Sequence, residues 1–180
     1  MLRSNHYEVA FEAYLRARGV GFVAVDEAKR SVLGDAAVKS LDFIIVGPET
    51  AKLVVDVKGR KFPTGSGPKA APAWQNWAEE DDVDGLGRWA AQFGGGFRGV
   101  LAFVYDIRKP YELSAGTRDV FTFRDHTYLM RGVAITDYRT HMRPRSKKWK
   151  TVHLLTAAFR TVVRPFSEFL RDTDVSDILK

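Results

Sequence analysis

The segment Leu41-Asp42-Phe43-Ile44-Ile45-Val46-Gly47-Pro48-Glu49-Thr50-Ala51-Lys52-Leu53-Val54-Val55-Asp56-Val57-Lys58 decides how this chain is read. Two runs rich in β-branched residues, 41–46 and 53–58, flank the turn-forming Gly47-Pro48-Glu49-Thr50, and that pattern predicts two strands joined as a hairpin. Side chains alternate between the faces of a strand, so Asp56 and Lys58 leave one face while Leu53, Val55 and Val57 enter a core on the other. Asp42 breaks the first apolar run. Three charged groups on adjacent, otherwise apolar strands are costly unless they bind something or one another. Two carboxylates held close suit a hard cation, for which Mg²⁺ is the usual answer. An ammonium beside them suits orienting a water or offsetting charge on a pentacovalent phosphate. A structural ion pair, or strand-end charges reaching solvent, accounts for the same residues.

Working outward, Asn5 is placed to cap a helix running to about Arg18 and ended by Gly19, with Tyr7, Phe11, Tyr14 and Leu15 on its apolar face. At 100° per residue, Glu8 borders that face, whereas Glu12 turns a further ~40° toward water and suits a pair with Arg16. Residues 20–25 read as a strand. The Pro- and Gly-rich stretch 62–72 reads as a loop. A helix is expected over 84–93, with Leu86, Trp89, Ala90 and Phe93 inward, closed by Gly94-Gly95-Gly96. The acids Glu79 to Asp82, with Asp84, suit a loop and helix start, where they complement the dipole. Residues 100–105 form a wholly apolar strand of the kind covered on both faces. Strands follow over 120–124, 128–135 and near 151–154, then a helix over 157–163 that breaks at Pro165 and resumes through Phe169. The order predicts an α/β or α+β sandwich around a central mixed sheet.

At 180 residues the chain is long enough for one domain and short for two. It has no cysteine, which excludes disulfides, thiolate zinc sites and thiol nucleophiles. No apolar run approaches the ~20 residues of a membrane span, and the first residues lack a signal peptide's apolar stretch. A soluble, cytoplasmic protein is expected. Lys plus Arg exceeds Asp plus Glu by 28 − 22 = 6, an excess matched by Arg139, Arg143, Arg145, Lys147, Lys148 and Lys150. That segment, with Trp149 and nearby Tyr138, suits phosphate attraction and base or sugar stacking. A solvated basic loop is the plainer reading.

Other motifs fall away. Gly94-Gly95-Gly96-Phe97-Arg98-Gly99 matches GxGxxG but follows a helix and precedes a strand, the reverse of a dinucleotide site. His6, His126, His141 and His153 lack ligand spacing, which speaks against zinc. There is no GxSxG elbow and no GxxxxGK[ST] loop.

Asp42 and Asp56-Val57-Lys58, with 14 positions from Asp42 to Asp56, resemble the Asp…(Asp/Glu)-x-Lys signature of the PD-(D/E)xK nuclease superfamily. Leu41 stands where the signature has proline. The expected α-β-β-β-α-β order is similar to the core of archaeal Holliday-junction resolvases and related bacterial nucleases. Those proteins carry a first-helix Glu, and Glu8 stands at the matching distance before Gly19. The string His6-Tyr7-Glu8-Val9-Ala10-Phe11-Glu12 also resembles a bacterial family known by its HYExAFE motif. The nuclease resemblance implies one restriction-endonuclease-like domain, with its core at about 5–105 and a C-terminal extension over 106–180. It implies a nuclease that hydrolyses DNA with metal-activated water. Asp42, Asp56 and the Val57 carbonyl are then the ligands of Mg²⁺, or of Mn²⁺ in its place. Lys58 positions the attacking water, and Glu8 completes the shell or holds a second ion. Gln92 falls where some members place a polar contact, and Trp74 and Trp77 are candidates for stacking on bases or for the core. Arg143, Arg145, Lys147, Lys148 and Lys150 are the expected nucleic-acid contacts. DNA is the expected partner, with RNA and a homodimer left open and no membrane. A catalytically silent nuclease fold that binds nucleic acid, and a basic domain that binds a protein, are the alternatives.

Overall fold

Asn5 caps the first helix, α1 (His6–Ala17), by accepting the Tyr7 N–H on its side-chain oxygen at 3.1 Å, and the chain turns out of the helix at Gly19. This computed structural model describes residues 5–25, 31–33, 36–39, 41–47, 50–65 and 67–171. After α1 come β1 (Phe22–Ala24) and a small separate hairpin of β2 (Ser31–Leu33) and β3 (Ala36–Val38). Then β4 (Phe43–Gly47) pairs antiparallel with β5 (Thr50–Phe62), as the sequence pattern requires; the turn residues Pro48 and Glu49 lie outside the described residues. β5 runs past Lys58 to Phe62. A loop leads to β6 (Ala78–Glu79), α2 (Glu80–Phe93), β7 (Arg98–Ile107), β8 (Val120–Phe123) and β9 (His126–Ala134). The chain ends with α3 (Ile135–His141), β10 (Arg143–Ser146), β11 (Thr151–His153), α4 (Thr156–Val162), β12 (Arg164–Pro165) and a 3₁₀ turn at Phe166–Glu168.

The central sheet has the order β1-β4-β5-β7-β9-β12, with β8 also on β9. Among the described residues only β5 and β7 are parallel, joined through α2, so the sheet is mixed. Strands after residue 105 complete this same sheet. On one face α1 packs Phe11, Tyr14 and Leu15 with Phe43, Val55, Val57 and Val100. On the other, Val83, Leu86, Ile135, Tyr138 and Phe159 cover Val54, Leu101 and Phe103. Each such fully buried Val, Leu or Phe contributes about 1.5–3 kcal/mol. Among the described residues no helix is long and apolar enough to cross a membrane.

Several boundaries differ from the sequence pattern. α2 starts at Glu80 rather than Asp84, because the Asp82 carboxylate accepts the Glu79 N–H at 3.2 Å and the Lys150 carbonyl accepts that of Glu80 at 2.9 Å. β9 stops at Ala134, and Ile135 opens α3, which the pattern missed. The basic stretch contains β10, which pairs with β11. Past Pro165 the chain makes a single 3₁₀ turn instead of resuming an α-helix.

Candidate functional site

Phe43 stands opposite Val55 in the β4–β5 pair, and Asp42, at the bend that enters β4, lies beside β5. The Asp42 N–H donates to the Val55 carbonyl at 2.9 Å, and Asp42 Oδ2 accepts the Val57 N–H at 2.6 Å. Both carboxylates are buried, at 2% and 4% exposure. Alternation along β5 puts Val55 and Val57 in the α1-side core and turns Asp56 and Lys58 toward α2. Gly59 follows because the Tyr7 ring lies against it: a Cβ there would sit 2.1 Å from the ring. Thus the first turn of α1 is pressed onto the strand directly beyond Lys58.

The Lys58 ammonium lies 2.6 Å from Asp56 Oδ2 and 2.6 Å from Asp82 Oδ2. Asp82, on the first turn of α2, is itself buried, and its other oxygen meets Lys39 Nζ at 2.6 Å; Lys39 also reaches Glu79 at 2.6 Å. Asp82 and Lys39 are members that sequence reasoning missed. The acidic run suits a helix start, as expected, but which of its acids is buried depends on how α2 docks on the sheet.

Burial pushes Asp56 up to about 6, helped by repulsion from Asp82 and opposed by Lys58. Burial also disfavours the Lys58 charge, yet the two carboxylates outweigh it and hold its pKa above that of an ordinary lysine. Asp82 is buried as well, but Lys58 and Lys39 together keep it below the usual carboxylate range. Asp82 has two cations and Asp56 shares one, so Asp56 is the acid left poorly compensated.

Glu8 is buried on α1 and accepts from Asn5 Nδ2 at 2.6 Å. Glu12 instead pairs with Arg16 at 2.7 Å. Gln92 is exposed near the end of α2, remote in the helix from Asp82. Trp74 stacks on Phe62 at 3.6 Å and meets Tyr105 edge-on, so it belongs to the core. Trp77 lies under two guanidiniums, Arg60 at 4.0 Å and Arg145 at 5.1 Å. Arg143, Arg145, Lys147, Lys148 and Lys150 are all exposed on the β10–β11 hairpin. Two neighbours in sequence do not join them. Arg139 pairs with Asp84 at 3.0 Å, and Tyr138 is fully buried with its hydroxyl donating toward the Asn76 and Val152 carbonyls. Both sit on α3, whose packing against the rest turned them away from the cationic surface.

Among the described residues no three Asp, Glu or His side chains stand together as a metal cage. Mg²⁺ does not need one: it is commonly held by one or two carboxylates while keeping waters and taking substrate phosphate. Asp42, Asp56 and a strand carbonyl are hard oxygen donors of that class, so the residues present fit such an ion.

The sequence matches no protein-family profile and no curated protein. In architecture the chain is similar to a Holliday junction resolvase of Archaeoglobus fulgidus, an archaeal hyperthermophile. The TM-score is 0.51 at 12% identity, covering 91% of this chain and 96% of the resolvase chain. The likeness is one of fold, and the mixed α+β architecture around a central sheet that the sequence led us to expect is the architecture observed. The HYExAFE likeness gains no support from these comparisons.

Proposed function

We propose that this chain is a metal-dependent nuclease that hydrolyses DNA phosphodiester bonds with activated water. The observation that carries the reading is that Asp42 and Asp56 are both buried where the entry to β4 meets β5, with Lys58 2.6 Å from Asp56. The likeness of fold to a resolvase supports it. Asp42, Asp56 and the Val57 carbonyl would hold Mg²⁺ or Mn²⁺. In an antiparallel pair one residue offers its N–H and C=O to the same neighbour, so the Val57 carbonyl lies on the side of the strand where Asp42 accepts the Val57 N–H. When bound, the cation supplies Lewis-acid polarisation of the phosphodiester and activation of water.

The remaining chemistry belongs to the chain. With Asp56 engaged, Lys58 keeps Asp82 as its partner and so stays charged and held in place. Its ammonium can then donate to the attacking water and offset negative charge building on the phosphate. Asp82 and Lys39 act through Lys58 and are positioning residues. Glu8 contributes from the α1 side, and the exposed cations of the β10–β11 hairpin attract the phosphate backbone.

Calorimetric titration with Mg²⁺ and Mn²⁺, paired with cleavage of labelled DNA, tests this reading. Wild type is expected to bind the ion and cut, and Asp42→Asn to lose both while remaining folded by circular dichroism. A wild type that neither binds nor cuts would leave these residues as a structural ion network.

The first-helix acids give a second test. Glu8 is buried, whereas Glu12 is tied to Arg16 on the helix surface. Glu8→Gln is expected to lower the cleavage rate at least tenfold, and Glu12→Gln to stay within about threefold, less than 1 kcal/mol of barrier. The reverse order would assign the role to Glu12.

A further inference from the structure

The β10–β11 hairpin combines a rigid base with a tip that the fold itself leaves uncovered. Val152 and Leu154 are buried at 2% exposure each, and β11 pairs with β6, Thr151 opposite Glu79 and Val152 opposite Ala78. The buried Asn76 side chain donates to the Leu154 carbonyl at 3.1 Å and accepts the Leu154 N–H at 2.9 Å. The Lys150 carbonyl takes the Glu80 N–H, which joins the hairpin to the start of the helix that carries Asp82. Lys150 holds φ +44°, a left-handed conformation that glycine or asparagine adopts at less cost. Its N–H donates to the Lys147 carbonyl at 3.4 Å, which closes the turn that carries Lys147 and Lys148.

At the tip, Trp149 is 68% exposed. Its ring carries the Lys148 ammonium at 5.1 Å. No acid occurs from Tyr138 through Ser167, so no carboxylate in the hairpin competes for its cations. An exposed indole with an ammonium over it, in a hairpin of exposed cations, is the composition of a stacking platform in an electrostatic funnel: phosphates meet the ammonium and guanidinium groups while a base lies on the ring. In a continuous duplex each base face is already covered by its neighbours, so a ring can stack only where bases are unpaired.

We propose that Trp149 stacks on an unpaired base while the hairpin cations hold the flanking phosphates, giving a preference for DNA with a single-stranded segment over continuous duplex. This rests on the nuclease reading above. It adds that the strand entering the Lys58 site is selected for its unpaired bases, because β6 and the start of α2 carry the hairpin to that site.

The test is fluorescence anisotropy in EDTA, where no cleavage intervenes, with a labelled twelve-nucleotide thymidine strand and a twelve-base-pair duplex. One stacked base is worth about 1–3 kcal/mol. The ratio of single-strand to duplex affinity is therefore expected to fall about tenfold in Trp149→Ala and to stay within about threefold of wild type in Trp149→Phe. The charge reversal Lys147→Glu, Lys148→Glu and Lys150→Glu is expected to weaken binding to both DNAs. It should also flatten the log–log salt dependence by about 0.7–0.9 for each phosphate that is no longer neutralised. An unchanged ratio in Trp149→Ala, with wild type still binding, overturns the stacking role alone and leaves the nuclease reading standing. Unchanged affinity in the triple variant overturns the hairpin as the DNA-binding surface. A wild type that binds neither DNA overturns both this proposal and the reading it rests on.

Discussion

Lys58→Met is expected to abolish metal-dependent cleavage and to destabilise the protein by about 3–5 kcal/mol, the usual cost of removing one partner from a buried ion pair. The size follows from what the ammonium holds together. Its side chain is 14% exposed and lies 2.6 Å from both Asp56 and Asp82, whose side chains are 6% and 2% exposed. Methionine conserves volume, so the loss reports charge rather than a cavity. Without the lysine, two buried carboxylates face each other, with only Lys39 to compensate Asp82. Urea unfolding gives the stability and a DNA cleavage assay gives the activity. Lys39→Ala is the contrast: that side chain is 41% exposed, and solvent-screened pairs contribute about 0–1 kcal/mol. Cleavage that survives Lys58→Met would remove Lys58 from the chemistry. Stability that survives it would mean the carboxylates are already protonated or solvated.

Asp56→Asn is expected to eliminate cleavage and yet to raise the melting temperature of the metal-free protein above pH 6. Desolvation lifts Asp56 from the ordinary 3.8 to about 6 in the folded chain. Between those values the folded protein keeps a proton that the unfolded chain has released. Its stability contribution is therefore complete below the unfolded pKa, is lost as pH rises toward 6, and stays lost above it. Asparagine does not titrate, so the variant escapes this loss. The gain should amount to a few degrees at pH 8 and vanish near pH 4, read by thermal melts in EDTA. Added Mg²⁺ should reverse the order, because a ligand that binds only the folded wild type stabilises it by mass action. A variant less stable than wild type at pH 8 without metal would mean that the Lys58 pair outweighs desolvation.

How far the site was legible can be judged residue by residue. The placement of Asp56 and Lys58 on one face, opposite Val55 and Val57, needed only the two-residue period of a strand. The pairing that brings Asp42 beside Val57 was local too, because a short turn leaves the two strands little choice but to pair. The separation of Glu8 from Glu12 followed from helical rotation, and Glu12 does pair with Arg16. Asp82 was not legible. It lies 24 positions beyond Lys58 in sequence and belongs to an acidic run that a helix start explains without it.

The sequence by itself determined the elements whose signals are local: the Asn5 cap, the β4–β5 hairpin, the glycine-ended helix before β7, and the charge of the 143–150 segment. Each rests on periodicity, capping or turn chemistry within a few residues, and no distant contact is needed to make the pattern. Only the tertiary structure decided which charges meet. Docking α2 on the sheet buried Asp82 against Lys58, α3 drew Tyr138 into the core and Arg139 onto Asp84, and β6 fastened the basic hairpin beside the α2 start. A charged side chain looks alike in sequence whether solvated or buried; burial and partner are set by surfaces brought together from distant parts of the chain, where desolvation must be met by an opposite charge.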